Sequence, residues 1–317
     1  MNLFKVPDKL IVRRESCKSI LPEYRSEFMR DRDRILYATA FRRLAGKTQI
    51  YTVGLDDHKR NRLTHTLEVA QIARTIAQGL DLDSDLAEAI ALAHDFGHTP
   101  FGHAGERMLN DIMVPESNFV KRSPFYGQKH ESIVAQFERE NVKNKDYYKY
   151  AFGFKHNLQS ARVAAVLEDS YLGVNGENIG LNLTNFSLYG MIIHSKLKYN
   201  KADLYPNFHN ELDRLFKLKD CDVYAWSFEA FVVSWADEIA QWHHDLEDAM
   251  RGGALPIERI CKTIHNSLDV CLNEDDSIVL KSISESKKID RKTIADLSHI
   301  VVNTLVDSLI ENSKANF

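Results

Sequence analysis

The chain has 317 residues, of which 44% are apolar and 27% charged, with a formal net charge of -4. That length supports a large buried core, as one large domain or two moderate ones. The slight negative charge excludes an overall basic field for nucleic acid or anionic membrane, and no apolar run approaches the roughly 18 residues of a membrane helix. The N-terminal Met-Asn-Leu-Phe-Lys-Val-Pro-Asp lacks the apolar core of a signal peptide. Cys17, Cys221, Cys261 and Cys271 are scattered. That spacing reads as reduced thiols in a cytoplasmic protein, with no disulfide frame or zinc knot.

The pattern is helical nearly throughout and predicts an all-α fold. Ile50 to Val53 is a short strand candidate. Leu63, Leu67, Ala70, Ala73 and Ala77 form an apolar stripe at helical spacing on a helix starting near Asn61. Leu86, Ala89, Ile90 and Ala93 form the next, with Ser84 as its expected N-cap and Asp85 and Glu88 in the first turn. Phe96-Gly97 and Thr99-Pro100 break that helix, so His94 and Asp95 fall at its C-terminal end. Residues 157 to 172 and 226 to 250 read as further helices, and Ile278 to Leu280 as a second short strand. Ile294, Leu297, Val301, Leu305 and Leu309 mark a terminal helix that packs on the main body. Loops are expected at 114 to 128, 141 to 148, 173 to 180, 198 to 211 and 282 to 292. Gly252-Gly253 followed by Pro256 separates a main body, residues 1 to 250, from a C-terminal helical section, residues 251 to 317.

The chemistry concentrates in Ala93-His-Asp-Phe-Gly-His-Thr-Pro-Phe-Gly-His103. Adjacent His94 and Asp95 offer one imidazole nitrogen and one carboxylate oxygen to a divalent cation. His65 shares its helix face with Val69, Ile72 and Ile76. As a lone residue it reads as a hydrogen-bonded core histidine; the His94-Asp95 pair makes it a candidate ligand. Asp237 lies among Val232, Val233, Ala236, Ile239 and Ala240, where a carboxylate is costly to bury unless paired or metal-bound. Gln241, His244, Asp245 and Asp248 continue its face. Two histidines and two aspartates make a mixed N/O site without thiolate. It suits Mn, Mg, Fe, Co or Zn, and such a cation acidifies water toward neutral pH.

His65, His94-Asp95 and Asp237 follow the order of the HD superfamily of metal-dependent phosphohydrolases. Several longer stretches resemble the bacterial dGTPase family within it. They are Arg30-Asp-Arg-Asp-Arg-Ile, Phe41-Arg-Arg-Leu-Ala-Gly-Lys-Thr-Gln49, Arg60-Asn-Arg-Leu-Thr-His65 and the segment from Ala91 to Glu106. Phe154-Lys-His-Asn-Leu-Gln-Ser-Ala-Arg-Val163, Gly180-Leu-Asn-Leu-Thr184, Ala236-Asp-Glu-Ile-Ala and His244-Asp-Leu-Glu-Asp248 continue the series. The resemblance spans roughly residues 24 to 250. It implies a mainly helical fold and hydrolysis of a deoxynucleoside triphosphate, dGTP foremost, at the α-phosphorus to give a deoxynucleoside and tripolyphosphate.

Carried over position by position, the resemblance makes His65, His94, Asp95 and Asp237 the ligands of one divalent metal, with Mn or Mg favoured. His103 and Glu106 become the acid–base pair. Gln49 and Asp245 contact the sugar 3′-hydroxyl, and Arg62, His98 and His156 face the phosphates. His156 is preferred to His130 because the Asn, Gln and Ser that follow it match the family. The likeness also implies a homo-oligomer and allows a nucleotide or single-stranded DNA regulator, with no membrane partner. The nearest alternatives are an HD phosphohydrolase of nucleoside monophosphates or cyclic nucleotides, and a non-catalytic nucleotide sensor. Two departures stand out. Gln241 occupies the place where the family usually has a tyrosine packed near the sugar, which affects deoxy-versus-ribo selection. The region after residue 250 carries no family motif.

Overall fold

The computed structural model describes residues 5–16, 22–47, 61–113, 154–194, 215–216, 218, 224–253 and 255–316. The strand expected at Ile50 to Val53 and the loops at 114 to 128, 141 to 148 and 198 to 211 lie outside these residues, as do Gln49 and His130. Among the described residues there is no sheet; the extended pairings are two isolated bridges, Arg13 with Thr184 and Leu172 with Asn178. The all-α expectation holds.

The first helices are α1, Glu27–Tyr37, and α2, Thr39–Arg43. Helix α3, Arg62–Gly79, starts where Asn61 accepts a hydrogen bond from the Thr64 amide at 3.0 Å. Helix α4, Ser84–Ala93, packs along α3. Its cap is Asp83, not the expected Ser84. The Asp83 carboxylate accepts from the Asp85 and Leu86 amides at 3.0 and 3.1 Å, and a negative group suits the positive end of the helix better than a hydroxyl. His94 and Asp95 follow the last turn of α4, as the Phe96-Gly97 break predicted.

Helix α5, Gly102–Met113, carries His103 in its first turn. Helix α6, His156–Arg162, is shorter than the expected 157 to 172, because Val163–Leu167 widens into a π turn and the helix ends there. Leu181 donates its amide to the Ala164 carbonyl at 2.7 Å and so takes an acceptor from the helical ladder. The Gly180 backbone passes so close that a Cβ there would lie 2.4 Å from that oxygen. Glu168, just past the turn, accepts the Thr39 and Ala40 amides at 3.1 and 2.7 Å and so caps α2. Helix α7, Asn185–Ile193, then leads to His194.

Helix α8, Phe228–Arg251, crosses α3 and α4 and carries Asp237. Helices α9, Ile257–Leu268, α10, Glu274–Ser286, and α11, Arg291–Asn316, follow the Gly252-Gly253 break. The strand expected at Ile278 to Leu280 is helical. Asn273 caps α10 by accepting the Asp276 amide at 2.8 Å, three acidic residues fill its first turn, and Leu280 and Ile283 face inward at helical spacing. The loop expected at 282 to 292 therefore shrinks to residues 287 to 290. Helix α11 contains no uninterrupted apolar run of about 18 residues, yet by length and average composition alone it is apolar enough to cross a membrane. An 18-residue window in it has mean hydropathy 1.3, and 44% of that window is buried within this chain.

The main apolar cluster gathers α1, α3, α4, α6, α7 and α8. A second cluster joins Met250 of α8 to α9, α10 and α11 around Leu297. Leu305 packs against both. Asp31, fully buried on α1, fastens the chain start to the 182–187 segment. It accepts from the Thr184 amide at 2.9 Å, the Thr184 hydroxyl at 2.6 Å, the Ser187 hydroxyl at 2.7 Å and Arg13 at 2.5 Å. Two of the motif stretches, around Arg30 and Gly180, thus meet in a scaffold contact.

Candidate active site

Helices α3, α4 and α8 bring His65, His94, Asp95 and Asp237 together. The ligand atoms of His65, His94 and Asp95 all lie within 4.8 Å of one another. The Asp237 Oδ1 lies 3.0 Å from His65 Nε2 and 3.8 Å from His94 Nε2. Three of the four side chains are buried; that of Asp237 is 37% exposed and opens the group to one side.

The imidazole of His94 is held by its other nitrogen. Nδ1 lies 2.6 Å from the Ala91 carbonyl, which can only accept, so Nδ1 carries the proton and Nε2 keeps a lone pair. That Nε2 has no hydrogen-bond partner among the described residues and lies 3.5 Å from Asp95 Oδ1. A backbone carbonyl behind a histidine is the usual support of a metal ligand. A buried, unpartnered lone pair facing two carboxylates fits a cation. The donor set is nitrogen and oxygen without sulfur, which suits a divalent metal of intermediate or hard character.

The charges are tightly coupled. Burial opposes ionisation of Asp95, yet the positive charge facing it, that of the Arg62 guanidinium above all, holds its carboxyl well below the usual range. Arg62 Nη1 donates to Asp95 Oδ2 at 2.5 Å, and both side chains are buried. Burial likewise works against a charged His65, but its hydrogen bond to Asp237 outweighs this and raises it. Asp237 is lowered by the same bond in spite of desolvation.

A second group lies beside the first. Glu106 and His103 sit in the first two turns of α5, three residues apart, with His103 Nδ1 3.3 Å from Glu106 Oε2. The other oxygen of Glu106 lies 3.1 Å from His156 Nδ1 and accepts the His156 amide at 3.3 Å. One carboxylate therefore orients two imidazoles, whereas sequence spacing pointed to one. Desolvation would raise Glu106, but the two histidines overcome it and keep it ionised. The bond to Glu106 raises His103, whose side chain is 73% exposed. His98 stacks on His156 with centroids 4.4 Å apart. Burial pushes it down to about 3, so it is neutral at pH 7.

Ser160 joins the two groups. Its hydroxyl lies 2.5 Å from the His94 carbonyl and 3.0 Å from the His156 carbonyl, and it accepts the Gly97 amide at 2.9 Å. The turn after Asp95 runs so close to α6 that a Cβ on Gly97 would stand 2.3 Å from the Ser160 nitrogen. Only glycine fits there.

The structure brings together His65, His94, Asp95, Asp237, Arg62, His98, His103, Glu106 and His156. Asp245 stands two turns along α8 from Asp237, exposed, and accepts a hydrogen bond from Gln241 at 2.9 Å. Sequence reasoning missed three sets of contacts. His194 packs edge-on to His94 at 5.3 Å and lies 3.1 Å from the Asn157 amide nitrogen. Glu68 bonds His244, whose ring packs 5.2 Å from that of His65. Ser160 is the third. His194 ends an apolar run, and a lone histidine there carries no signal. Glu68 is three residues after His65 and shares its face, a spacing that could have marked it.

Comparison with known proteins identifies the family. Residues 62–173 match the family model for the HD domain. A deoxyguanosinetriphosphate triphosphohydrolase-like protein of Rickettsia prowazekii (strain Madrid E) is 36% identical over 98% of this chain and 67% of its own length. The chain belongs to the deoxyguanosinetriphosphate triphosphohydrolase-like family. Proteins of the same description from Sinorhizobium medicae (strain WSM419), 41% identical over 74% of this chain, and Thiobacillus denitrificans (strain ATCC 25259 / T1), 36% identical over 92%, match 49% and 62% of their own lengths. The chain thus spans about half to two thirds of the relatives it matches. Within this family the buried His/Asp group is the candidate metal centre.

Proposed function

We propose that the chain hydrolyses a deoxynucleoside triphosphate, dGTP foremost, to deoxynucleoside and tripolyphosphate. The observation that carries the reading is the joining of a metal-type His/Asp group to a separate His103–Glu106–His156 group, with Arg62 beside them. His65, His94, Asp95 and Asp237 would hold one divalent cation, Mn or Mg. Bound there, the cation supplies Lewis acidity, making water acidic enough to attack near neutral pH and neutralising phosphoryl charge.

The chain's own residues do the rest. Water attacks the α-phosphorus, the bond to the 5′-oxygen breaks, and that oxygen needs a proton. His103, oriented and raised by Glu106, is a suitable donor. Arg62 takes phosphoryl oxygens as a cation, His156 faces them beside it, and His98 meets them as a neutral ring. Asp245, with Gln49, meets the sugar 3′-hydroxyl in this reading, with Gln241 fixing the Asp245 carboxylate. A homo-oligomer, a nucleotide or single-stranded DNA regulator, and the division at residue 250 belong to the same proposal.

The test is incubation of purified protein with each dNTP and Mn or Mg, followed by product chromatography. Deoxynucleoside plus tripolyphosphate is expected; release of phosphate or pyrophosphate rejects the reaction. His94→Ala and Asp95→Ala each abolish turnover and metal retention, and unchanged activity in both overturns the site. Tight dNTP binding without product in any metal points to a sensor instead.

A further inference from the structure

Lys47 is bonded to the turn that carries His94 and Asp95. It follows the short 3-10 turn Leu44–Gly46 that ends the α2 segment. Its backbone carbonyl accepts the Arg62 amide at 3.1 Å, so the residue is fixed to the first position of α3. Its ammonium donates to the Phe96 carbonyl at 3.1 Å, one residue beyond Asp95. Among the described residues that carbonyl is its one hydrogen-bond partner, and an ammonium has three N–H groups. Two donors are left for another acceptor.

The surroundings leave this cation short of negative charge. Asp95 attracts it, Arg62 and Arg43 repel it, and it is half-buried. Asp95 is already taken by Arg62 at 2.5 Å, and Arg43 faces Glu168 at 3.7 Å. Desolvation and like charges push Lys47 down to about 8. A partly dry lysine held beside an arginine, with spare donors and no carboxylate of its own among the described residues, is relieved by an anion with several oxygens.

We propose that Lys47 is a second phosphate-binding cation beside Arg62, acting on the polyphosphate of the substrate. This rests on the triphosphohydrolase reading for the identity of the anion. Arg62, with its planar fork, suits a bidentate grip, whereas Lys47 offers a compact charge that can follow a mobile phosphoryl group. Arg62 holds Asp95 and Lys47 holds the carbonyl of the next residue, and the Lys47–Arg62 backbone bond ties the two cations to each other. They can therefore meet different oxygens of one chain of phosphates.

The test is calorimetric titration of the metal-loaded full chain with inorganic tripolyphosphate, Mg²⁺ being in excess of it, and separately with deoxyguanosine. Lys47→Gln should weaken tripolyphosphate by at least about tenfold, the loss of one hydrogen bond between charged partners. Deoxyguanosine affinity should stay within about twofold, and Lys47→Arg should retain most of the tripolyphosphate affinity. Tripolyphosphate binding equal to wild type in Lys47→Gln overturns the proposal. So does equal weakening of both ligands with a lowered Tm, which marks a fold role, and so does a wild-type chain that binds no tripolyphosphate. If the reaction assignment alone is wrong, wild type releases no tripolyphosphate from dNTP, yet the titration still separates wild type from Lys47→Gln.

Discussion

The helices around the HD turn and the three C-terminal helices bury different things. Around the turn the buried set includes Arg62, His65, His94, Asp95, His98, Glu106, His194 and His244. After residue 255 the buried polar residues are Thr293, Ser298 and Thr304, all hydroxyls. The difference goes beyond polarity. Asp31 and Glu168 are also buried charges, but their oxygens are taken up by backbone amides, hydroxyls and Arg13. Near the turn, Arg62 Nε, His65 Nδ1, His94 Nε2, His98 Nδ1, His194 Nδ1 and His244 Nδ1 have no hydrogen-bond partner among the described residues. In the C-terminal helices the Ser298 hydroxyl is the one such atom. Since an unmet buried polar atom costs about 1–3 kcal/mol, stability alone does not keep six of them together. Asp31 and Glu168 thus serve the scaffold, whereas the cluster of unmet atoms at the turn leaves a place for something else to bind.

The contrast can be broken by substitution on either side of it. Among substitutions that leave the metal group intact, the largest effect should come from His103→Ala, whose side chain is exposed and supports no core. It should slow turnover by about 10² to 10⁴ while metal content and Tm stay as in wild type. The pH dependence gives a sharper reading of the same residue. Its bond to Glu106 raises His103, so the protonated donor is present below that raised pKa and is lost as pH rises through it. Glu106→Gln removes the carboxylate, and the alkaline limb of the kcat profile should move to lower pH. A limb that does not move would detach the pair from the chemistry.

The reverse result is expected from Leu297→Ala, fully buried in the second cluster. It should cost about 2–5 kcal/mol in urea unfolding, with kcat per folded molecule unchanged. Smallest is the cap of α4. Asp83→Ala should cost about 1 kcal/mol and Ser84→Ala within about 0.5 kcal/mol. Equal costs would contradict the capping assignment.

Much of the site was legible because its chemistry is local. His94 and Asp95 are adjacent, His103 and Glu106 are one turn apart, and Asp237 sits in an apolar run that a carboxylate avoids without reason. The helices were legible from their apolar stripes. What escaped depends on contacts between distant segments. The end of α6 is set by Leu181 taking the Ala164 carbonyl, an event invisible in residues 157 to 172. Ile278 to Leu280 looks extended in isolation, but Asn273 and the acidic first turn commit it to a helix. The second partner of Glu106 comes from fifty residues away, so spacing on α5 revealed half its task.

That shared carboxylate also decides which tautomers the two rings adopt. An ionised carboxyl only accepts, so the Nδ1 atoms of His103 and His156 must both bear hydrogen, and each ring turns a bare Nε2 outward. Uncharged, either ring offers a visiting oxyanion a lone pair, which repels it. To grip or protonate an oxygen, a ring must first acquire a second hydrogen. In the proposed reaction, a ring that gives its proton to the departing oxygen must therefore carry that proton before the substrate arrives.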